Sequence, residues 1–323
     1  MLNIISCLFG WNWLDRAAAG LLGAAQRLAK ELNGNHSVLV VGGGPEKLQH
    51  ELACLADAIH LAEHPFLTKY HSELTLTAIA EACKLLQPHA ILLGNDLYCQ
   101  ELASRLAHRL GGSAAGDALS LSSEDGTILV TRPVYGGKAQ ALVALRRTPA
   151  VVWVRARAQA PAIAQNKRAE VTRIGLSLQP DERIKIVSQE IEAKNGAVRL
   201  EDARFIVSGG RGLGGPEPFK QLQELASAMG AEMAASRAAC DAGWVPATWQ
   251  VGQTGKKVAP ELYLAIALSG ASQHLMGITD AKVIAAINTD PDAPIFGHCR
   301  FGLVEDYRNV VDLLRQKLVS MMA

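Results

Sequence analysis

Five short polar clusters stand between Ser208 and Asp306, each set against an apolar, strand-like run. They read Ser208-Gly-Gly-Arg-Gly-Leu-Gly-Gly215, Ser236-Arg237, Val251-Gly-Gln-Thr-Gly255, Ser269-Gly-Ala-Ser-Gln-His274 and Asn288-Thr-Asp-Pro-Asp-Ala-Pro294. Glycines let a backbone come close to a ligand. Beside them recur hydroxyls, amides, an imidazole and fixed positive charge. Such groups at successive strand ends are what a large nucleotide cofactor needs from an α/β sheet.

Taken singly, each cluster has a plainer reading. Gly210, Gly212 and Gly215 satisfy G-x-G-x-x-G between a strand and a helix, the context for a pyrophosphate at a helix N-terminus. A nicotinamide site would want an acidic residue about 20 positions on to hold the ribose. The next strand end offers Ser236-Arg237 instead, so the motif reads as a site for a 2′-phosphorylated nicotinamide cofactor or as a tight turn. The loop Val251 to Gly255 is a polar turn or the approach to a planar ligand. Ser269 and Gly270 can offer a hydroxyl and bare amides to a phosphate, with His274 one turn into the following helix. Asn288 caps a turn or faces the same ligand.

These clusters need a scaffold, and the second half of the chain supplies one. Ala203–Ser208, Leu262–Leu268 and Val283–Asn288 read as buried parallel strands. Pro216–Met229 and Val310–Met322 read as helices, the first stopped by Gly230. Residues 198–323 therefore form a doubly wound α/β domain, with ligands at the carboxyl ends of its strands. The first half also alternates. Met1–Phe9, Ser37–Val41 and Ala90–Gly94 are strand-like; Asp15–Leu32, Pro45 to about Ala58, Leu74–Leu86 and Glu101–Leu110 are helical. Ile128–Arg132, Ala139–Leu145 and Ala150–Arg155 suggest an antiparallel or mixed edge on a parallel sheet. Residues from about 156 to 183 read as a linker or extended crossing segment, and Ile184–Ile191 as a further strand. The fold class is thus two α/β domains, residues 1–197 and 198–323.

Bulk properties narrow the function. The 323 residues carry 32 basic and 31 acidic side chains, a net charge of +1, with 49% hydrophobic content. That balance gives no nucleic-acid footprint and no transmembrane segment is expected. The six cysteines show no Cys-x-x-Cys pair and the nine histidines no metal-ligand spacing, so neither a disulfide framework nor a metal is expected. No G-x-S-x-G elbow, phosphate loop or H-E-x-x-H helix occurs, and no catalytic residue is assigned. A cytoplasmic protein is the expectation.

In order and spacing, the clusters closely resemble the FAD domain of the electron transfer flavoprotein α subunit family. The matching stretches are Val207–Gly214, Ala235–Pro246, Gln250–Lys256, Leu268–His274 and Ala286–Phe296. The first domain resembles the family in its α/β pattern and in pieces such as Leu93-Gly94 and Arg105-Leu-Ala107. The resemblance implies that FAD is held by Arg211 and Ser236, by the loop Val251, Gly252, Gln253 and Thr254, and by the turn Ser269, Gly270, Ala271, Ser272, Gln273 and His274. It puts Thr254 at flavin N5, His274 at the O2 carbonyl, Arg237 over the isoalloxazine, and Asn288 and Asp306 at the adenosine end. It further implies a heterodimer with a β subunit, bound through the first domain. Flavin dehydrogenases such as acyl-CoA dehydrogenases would be the donors, as in fatty acid β-oxidation, and a quinone reductase or other acceptor would follow. The rival readings are an NADP-dependent oxidoreductase and a subunit with a structural nucleotide.

The chain departs from the family at Cys240, usually a small aliphatic residue, at Ser272, usually apolar, and at Ala267-Leu268, where Gly-Ile is more usual. Its first strand also leads almost directly into the helix at Asp15. The assigned chemistry has a physical basis. A one-electron carrier must stabilise negative charge near N1 and O2, and a guanidinium both stays charged and stacks on a flat ring. At ~4 Å and an effective dielectric of ~20, one charge pair is worth ~4 kcal/mol. At ~59 mV per tenfold, that caps the shift near ~180 mV.

Overall fold

The computed structural model describes residues 1–10, 14–135, 139–180, 184, 187 and 199–322, with only the backbone of residue 322. The chain divides into two compact units, residues 1–191 and 192–323. The boundary expected near Val198 lies outside the described residues.

A parallel strand covered on both faces must be apolar along its whole length, and the first unit is built from such runs. In chain order it contains β1 (Asn3–Phe9), α1 (Arg16–Glu31), β2 (Asn35–Val41), α2 (Glu46–Leu52), β3 (Ala58–Ala62), α3 (Ser72–Leu86), β4 (Ala90–Leu93) and α4 (Leu97–Leu110). There follow β5 (Ser113–Ala118), β6 (Ser120–Glu124), β7 (Thr127–Val134), β8 (Ala139–Leu145), β9 (Ala150–Val154) and β10 (Glu170–Ile174). Seven strands form one sheet in the order β10-β3-β2-β1-β4-β9-β5, and β6-β7-β8 form a separate antiparallel sheet. Alternate residues of β1 divide between two cores: Ile4 and Leu8 pack with α1, while Ile5, Cys7 and Phe9 pack with α3 and α4. Side-chain caps mark the helix starts. Asp15 accepts from the Ala18 amide (2.8 Å) and Asp96 from the Cys99 amide (2.8 Å).

Three sequence expectations change here. The helix after Pro45 ends at Leu52, and Ala58 opens β3 instead. Short runs of this kind do not announce themselves; Ala58–Ala62 becomes a strand because β2 and β10 flank it on either side. Ala150–Val154 is not part of the antiparallel edge: it lies parallel between β4 and β5, and only β7 and β8 pair antiparallel as expected. The crossing segment after Val154 is anchored to the first unit through Ala162 N–H to the Ala19 carbonyl (3.0 Å) and Ala169 N–H to the Ala53 carbonyl (2.7 Å). It then contributes β10, a polar edge strand. The strand expected at Ile184–Ile191 falls, apart from Ile184 and Val187, outside the described residues.

The second unit contains β11 (Phe205–Gly209), α5 (Pro218–Met229), β12 (Glu232–Ala235), α6 (Arg237–Asp241), β13 (Leu262–Ile266), α7 (Ser272–Leu275), β14 (Ile284–Asn288), β15 (Phe301–Val304) and α8 (Tyr307–Met322). Its five strands are parallel, in the order β12-β11-β13-β14-β15. Val207, Leu264 and Ile266 pack on one face with residues of α5 and α8; Ile206, Tyr263 and Ala265 pack on the other. Among the described residues no helix is long and apolar enough to cross a membrane.

Candidate functional site

The strand order of the second unit reverses between β11 and β13, because β12 lies to one side of β11 and β14 to the other side of β13. Loops leaving the two central strands therefore diverge, which opens a crevice at their carboxyl ends. A cleft of about 710 Å³ lies there, within the range of roughly 300–1,000 Å³ usual for ligand pockets.

Its floor is backbone. The Gly210 N–H donates to the Ile266 carbonyl (3.0 Å) and the Gly212 N–H to the Ala267 carbonyl (3.1 Å), so the two loops touch. A side chain at Gly210 would run into the Ala267 carbonyl and the Leu268 backbone. This contact, rather than a phosphate turn alone, explains the first glycines of the motif. Gly270 sits at φ +79° against the Ile295 backbone, a conformation that L side chains resist.

Side chains line the walls. Ser236 precedes α6, and its hydroxyl is buried without a hydrogen-bond partner among the described residues. Arg237 is exposed, and its Nε donates to Asp241 Oδ2 (3.2 Å), one helical turn on. Both residues line the cleft. The loop Gln250–Lys256 is closed by the Gly252 N–H on the Lys256 carbonyl (3.1 Å) and tied across by the Gln253 N–H on the Gln273 carbonyl (2.7 Å). Thr254 Oγ1 accepts from Gln250 Nε2 (3.0 Å), which leaves the threonine O–H as a donor. His274 is buried, with Nε2 2.9 Å from the Tyr263 hydroxyl. Burial lowers its pKa to about 4, the Val251 backbone opposing the shift, so the ring is neutral near pH 7. Asn288 donates to the Leu268 carbonyl (3.1 Å) and accepts from the Asp290 amide (3.0 Å). Its amide thus ties two loops of the cleft together.

Of the residues the sequence nominated, Arg211, Ser236, Arg237, Val251, Gly252, Gln253, Thr254, Ser269, Ala271, Gln273, His274 and Asn288 line this cleft. Gly270 and Ser272 do not: Gly270 packs on Ile295, and Ser272 donates to Gln273 Oε1 (3.3 Å). Asp306 lines a neighbouring hollow of about 190 Å³ that shares Gly212, Ala267 and Asn288 with the main cleft. There it accepts from the Arg308 amide and guanidinium (2.9 Å each). Sequence reasoning did not nominate Gln250, Asp241 or Tyr263. A signal existed for the first two, each four residues from a nominated partner. Tyr263 carried none, since an aromatic residue in an apolar strand reads as core.

The cleft suits an extended ligand that is both polar and planar. Two buried polar atoms at its walls, Ser236 Oγ and His274 Nδ1, have no hydrogen-bond partner among the described residues. Donors and two arginines, Arg211 and Arg237, stand around it, and burial keeps the ring of His274 uncharged. These features define an α/β protein that holds a nucleotide cofactor at a switch point of its second sheet.

Comparison with known proteins resolves the class further. Residues 199–279 match the electron transfer flavoprotein FAD-binding domain, and residues 12–178 match the electron transfer flavoprotein domain. An electron transfer flavoprotein subunit alpha from Thermoanaerobacterium thermosaccharolyticum is 39% identical over 94% of each chain. The one from Bacillus subtilis is 35% identical over 89% of each. A protein FixB from Clostridium saccharobutylicum is 32% identical over 92% of this chain and 90% of its own. The chain belongs to the electron transfer flavoprotein α-subunit family, and its cofactor is FAD. The nicotinamide reading of the glycine motif is thereby set aside. Arg237, which it needed for a 2′-phosphate, is paired with Asp241 instead.

Proposed function

We propose that this chain carries FAD in the cleft of its second unit and relays electrons within a heterodimer. It takes them from flavin dehydrogenases such as acyl-CoA dehydrogenases, as in fatty acid β-oxidation. It passes them singly to a quinone reductase or another acceptor. The observation that carries this reading is the meeting of Arg237, Thr254 and His274 around one cleft from three separate stretches of the chain.

FAD, when bound, supplies the redox chemistry itself. The chain binds and tunes. Arg237 brings a permanent positive charge to the cleft, moderated by Asp241 at 3.2 Å. The Thr254 hydroxyl, already accepting from Gln250, is free to donate to a ring nitrogen. His274 can hydrogen-bond a carbonyl without adding a charge of its own. Ser236, Arg211, Ser269 and the amides around them suit the ribityl and phosphate portions, with Asn288 and Asp306 toward the adenosine. Partnership with a β subunit through the first unit is supported by apolar side chains standing exposed there, Tyr135 after β7 and Leu142 on β8.

Co-expression with the β subunit tests the proposal. The purified heterodimer is expected to show flavin absorbance and to be reduced by an acyl-CoA dehydrogenase turning over its substrate. A preparation without flavin would sink the assigned site. A flavin that no dehydrogenase reduces would leave the cofactor and sink the donor, in favour of a structural nucleotide.

A further inference from the structure

One buried contact in the second unit lies just behind the cleft and takes no part in the roles above. Tyr263 is fully buried on β13, the central strand of its sheet, with Ile206 of β11 and Ile284 of β14 as its neighbours in register. Its hydroxyl is 2.9 Å from Nε2 of His274, and the two rings lie 6.0 Å apart at 58°. The hydroxyl's position is thus set by the sheet, whereas His274 stands on a four-residue helical turn among the cleft loops.

We propose that Tyr263 is a positioning residue for the cofactor cleft: its O–H donates to His274 Nε2, which fixes the rotation of the imidazole and places the ring proton on Nδ1. The inference rests on the reading that His274 meets the flavin.

The direction of the hydrogen bond follows from counting donors. Burial raises the Tyr263 pKa, with Ser208 acting the other way, so the phenol keeps its proton. Ser208 Oγ, on the neighbouring strand β11, makes no hydrogen bond among the described residues. Among the described residues the hydrogen bond given for the phenol is the one to His274, so its proton points at the lone pair of Nε2. Were Nε2 to carry the hydrogen, it would donate to the phenol oxygen and leave the phenol O–H without an acceptor in an apolar core, which buried hydroxyls avoid. A neutral imidazole has a single N–H, and with Nε2 accepting it must sit on Nδ1. That nitrogen has no hydrogen bond among the described residues.

Nitrogen-15 spectra of the FAD-loaded heterodimer, labelled at histidine, read the proton's position directly. His274 is identified as the signal lost in His274→Gln. The expected pattern is a protonated Nδ1 and an unprotonated Nε2. Tyr263→Phe, which keeps the ring and removes the hydroxyl, should replace that pattern by an average of the two tautomers. It should also shift the one-electron potential while FAD content stays unchanged. A proton found on Nε2 in the unmodified protein overturns the proposal and needs no variant that might misfold. So does a Tyr263→Phe protein whose nitrogen pattern is unaltered. A changed pattern with an unchanged potential would instead overturn the placing of His274 at the flavin, on which the proposal's bearing on the cofactor depends.

Discussion

Each unit of this chain buries one histidine against a hydroxyl, and the two pairs look alike at the atomic level. In the first unit, His36 Nε2 lies 2.8 Å from Ser6 Oγ; in the second, His274 Nε2 lies 2.9 Å from the Tyr263 hydroxyl. Burial lowers both pKa values to about 4, and both leave Nδ1 without a partner. The difference is place. His36 lies within β2, hydrogen-bonded through its amide to Asp57 (2.9 Å) and only 1% exposed. His274 follows the strand end where the second sheet reverses, and it borders the cleft. A buried neutral histidine with a spare nitrogen is therefore not a functional sign by itself. Its position at a switch point makes it one.

The largest effect that tests this contrast is acid unfolding, to which both histidines contribute alike. Each has a folded pKa below its unfolded value of 6.5. The unfolded chain therefore takes up protons that the folded chain refuses. Stability from this source is complete above pH ~6.5 and falls as the pH drops toward ~4, by about 3 kcal/mol for each histidine. His36→Gln should remove about half of that dependence, measured by denaturant unfolding across the window. If the slope is unchanged, His36 is not the buried neutral group described here.

Second comes the redox readout, which should separate the pairs. Arg237→Ala should lower the one-electron potential of the bound FAD, by at most ~180 mV. The shift should fall well short of that bound, because Arg237 is exposed to solvent and shares its charge with Asp241. His36→Gln should leave the potential where it was. An unmoved potential in Arg237→Ala would show that its guanidinium is not the tuning charge.

Smaller effects refine the cleft side of the comparison. Thr254→Val keeps the side-chain shape, loses the hydroxyl donor and strands Gln250 Nε2; FAD should bind about fivefold more weakly, for a loss of ~1 kcal/mol. Equal affinity in a flavin-binding titration would remove Thr254 from the contact set. Asp241→Asn should raise the potential by no more than ~40 mV, since an exposed ion pair is worth at most ~1 kcal/mol. A fall in potential would contradict the competition between Asp241 and the flavin for Arg237.

Much of this was legible along the chain. Apolar runs such as Ile4–Phe9 and Leu262–Ile266 declare buried strands, since only a parallel strand covered on both faces can be apolar throughout. The start at Asp15 and the stop at Gly230 declare helix ends, whereas the start of α4 at Leu97, capped by Asp96, was read four residues late, at Glu101. Less legible were β3, β9 and β10. Ala58–Ala62 is short and carries a histidine, and Glu170–Ile174 is polar because an edge strand can afford to be. Ala150–Val154 follows two antiparallel strands and yet joins the other sheet, a choice that its local sequence does not encode.

The linear order of the glycine, hydroxyl, amide and imidazole clusters was enough to identify the family and its cofactor, because their spacing reflects successive strand ends of one sheet. It also singled out Arg237, Thr254 and His274. What the tertiary structure decided is how those three are held. Asp241 shares the charge of Arg237, Gln250 orients the Thr254 hydroxyl, and Tyr263 reaches His274 from beneath. Tyr263 could not be read from sequence, since a phenol in an apolar run is indistinguishable from core until the neighbouring loop folds back over it. Hydrogen bonds between residues that distance or burial separates depend on which strands become neighbours, and long-range packing settles that.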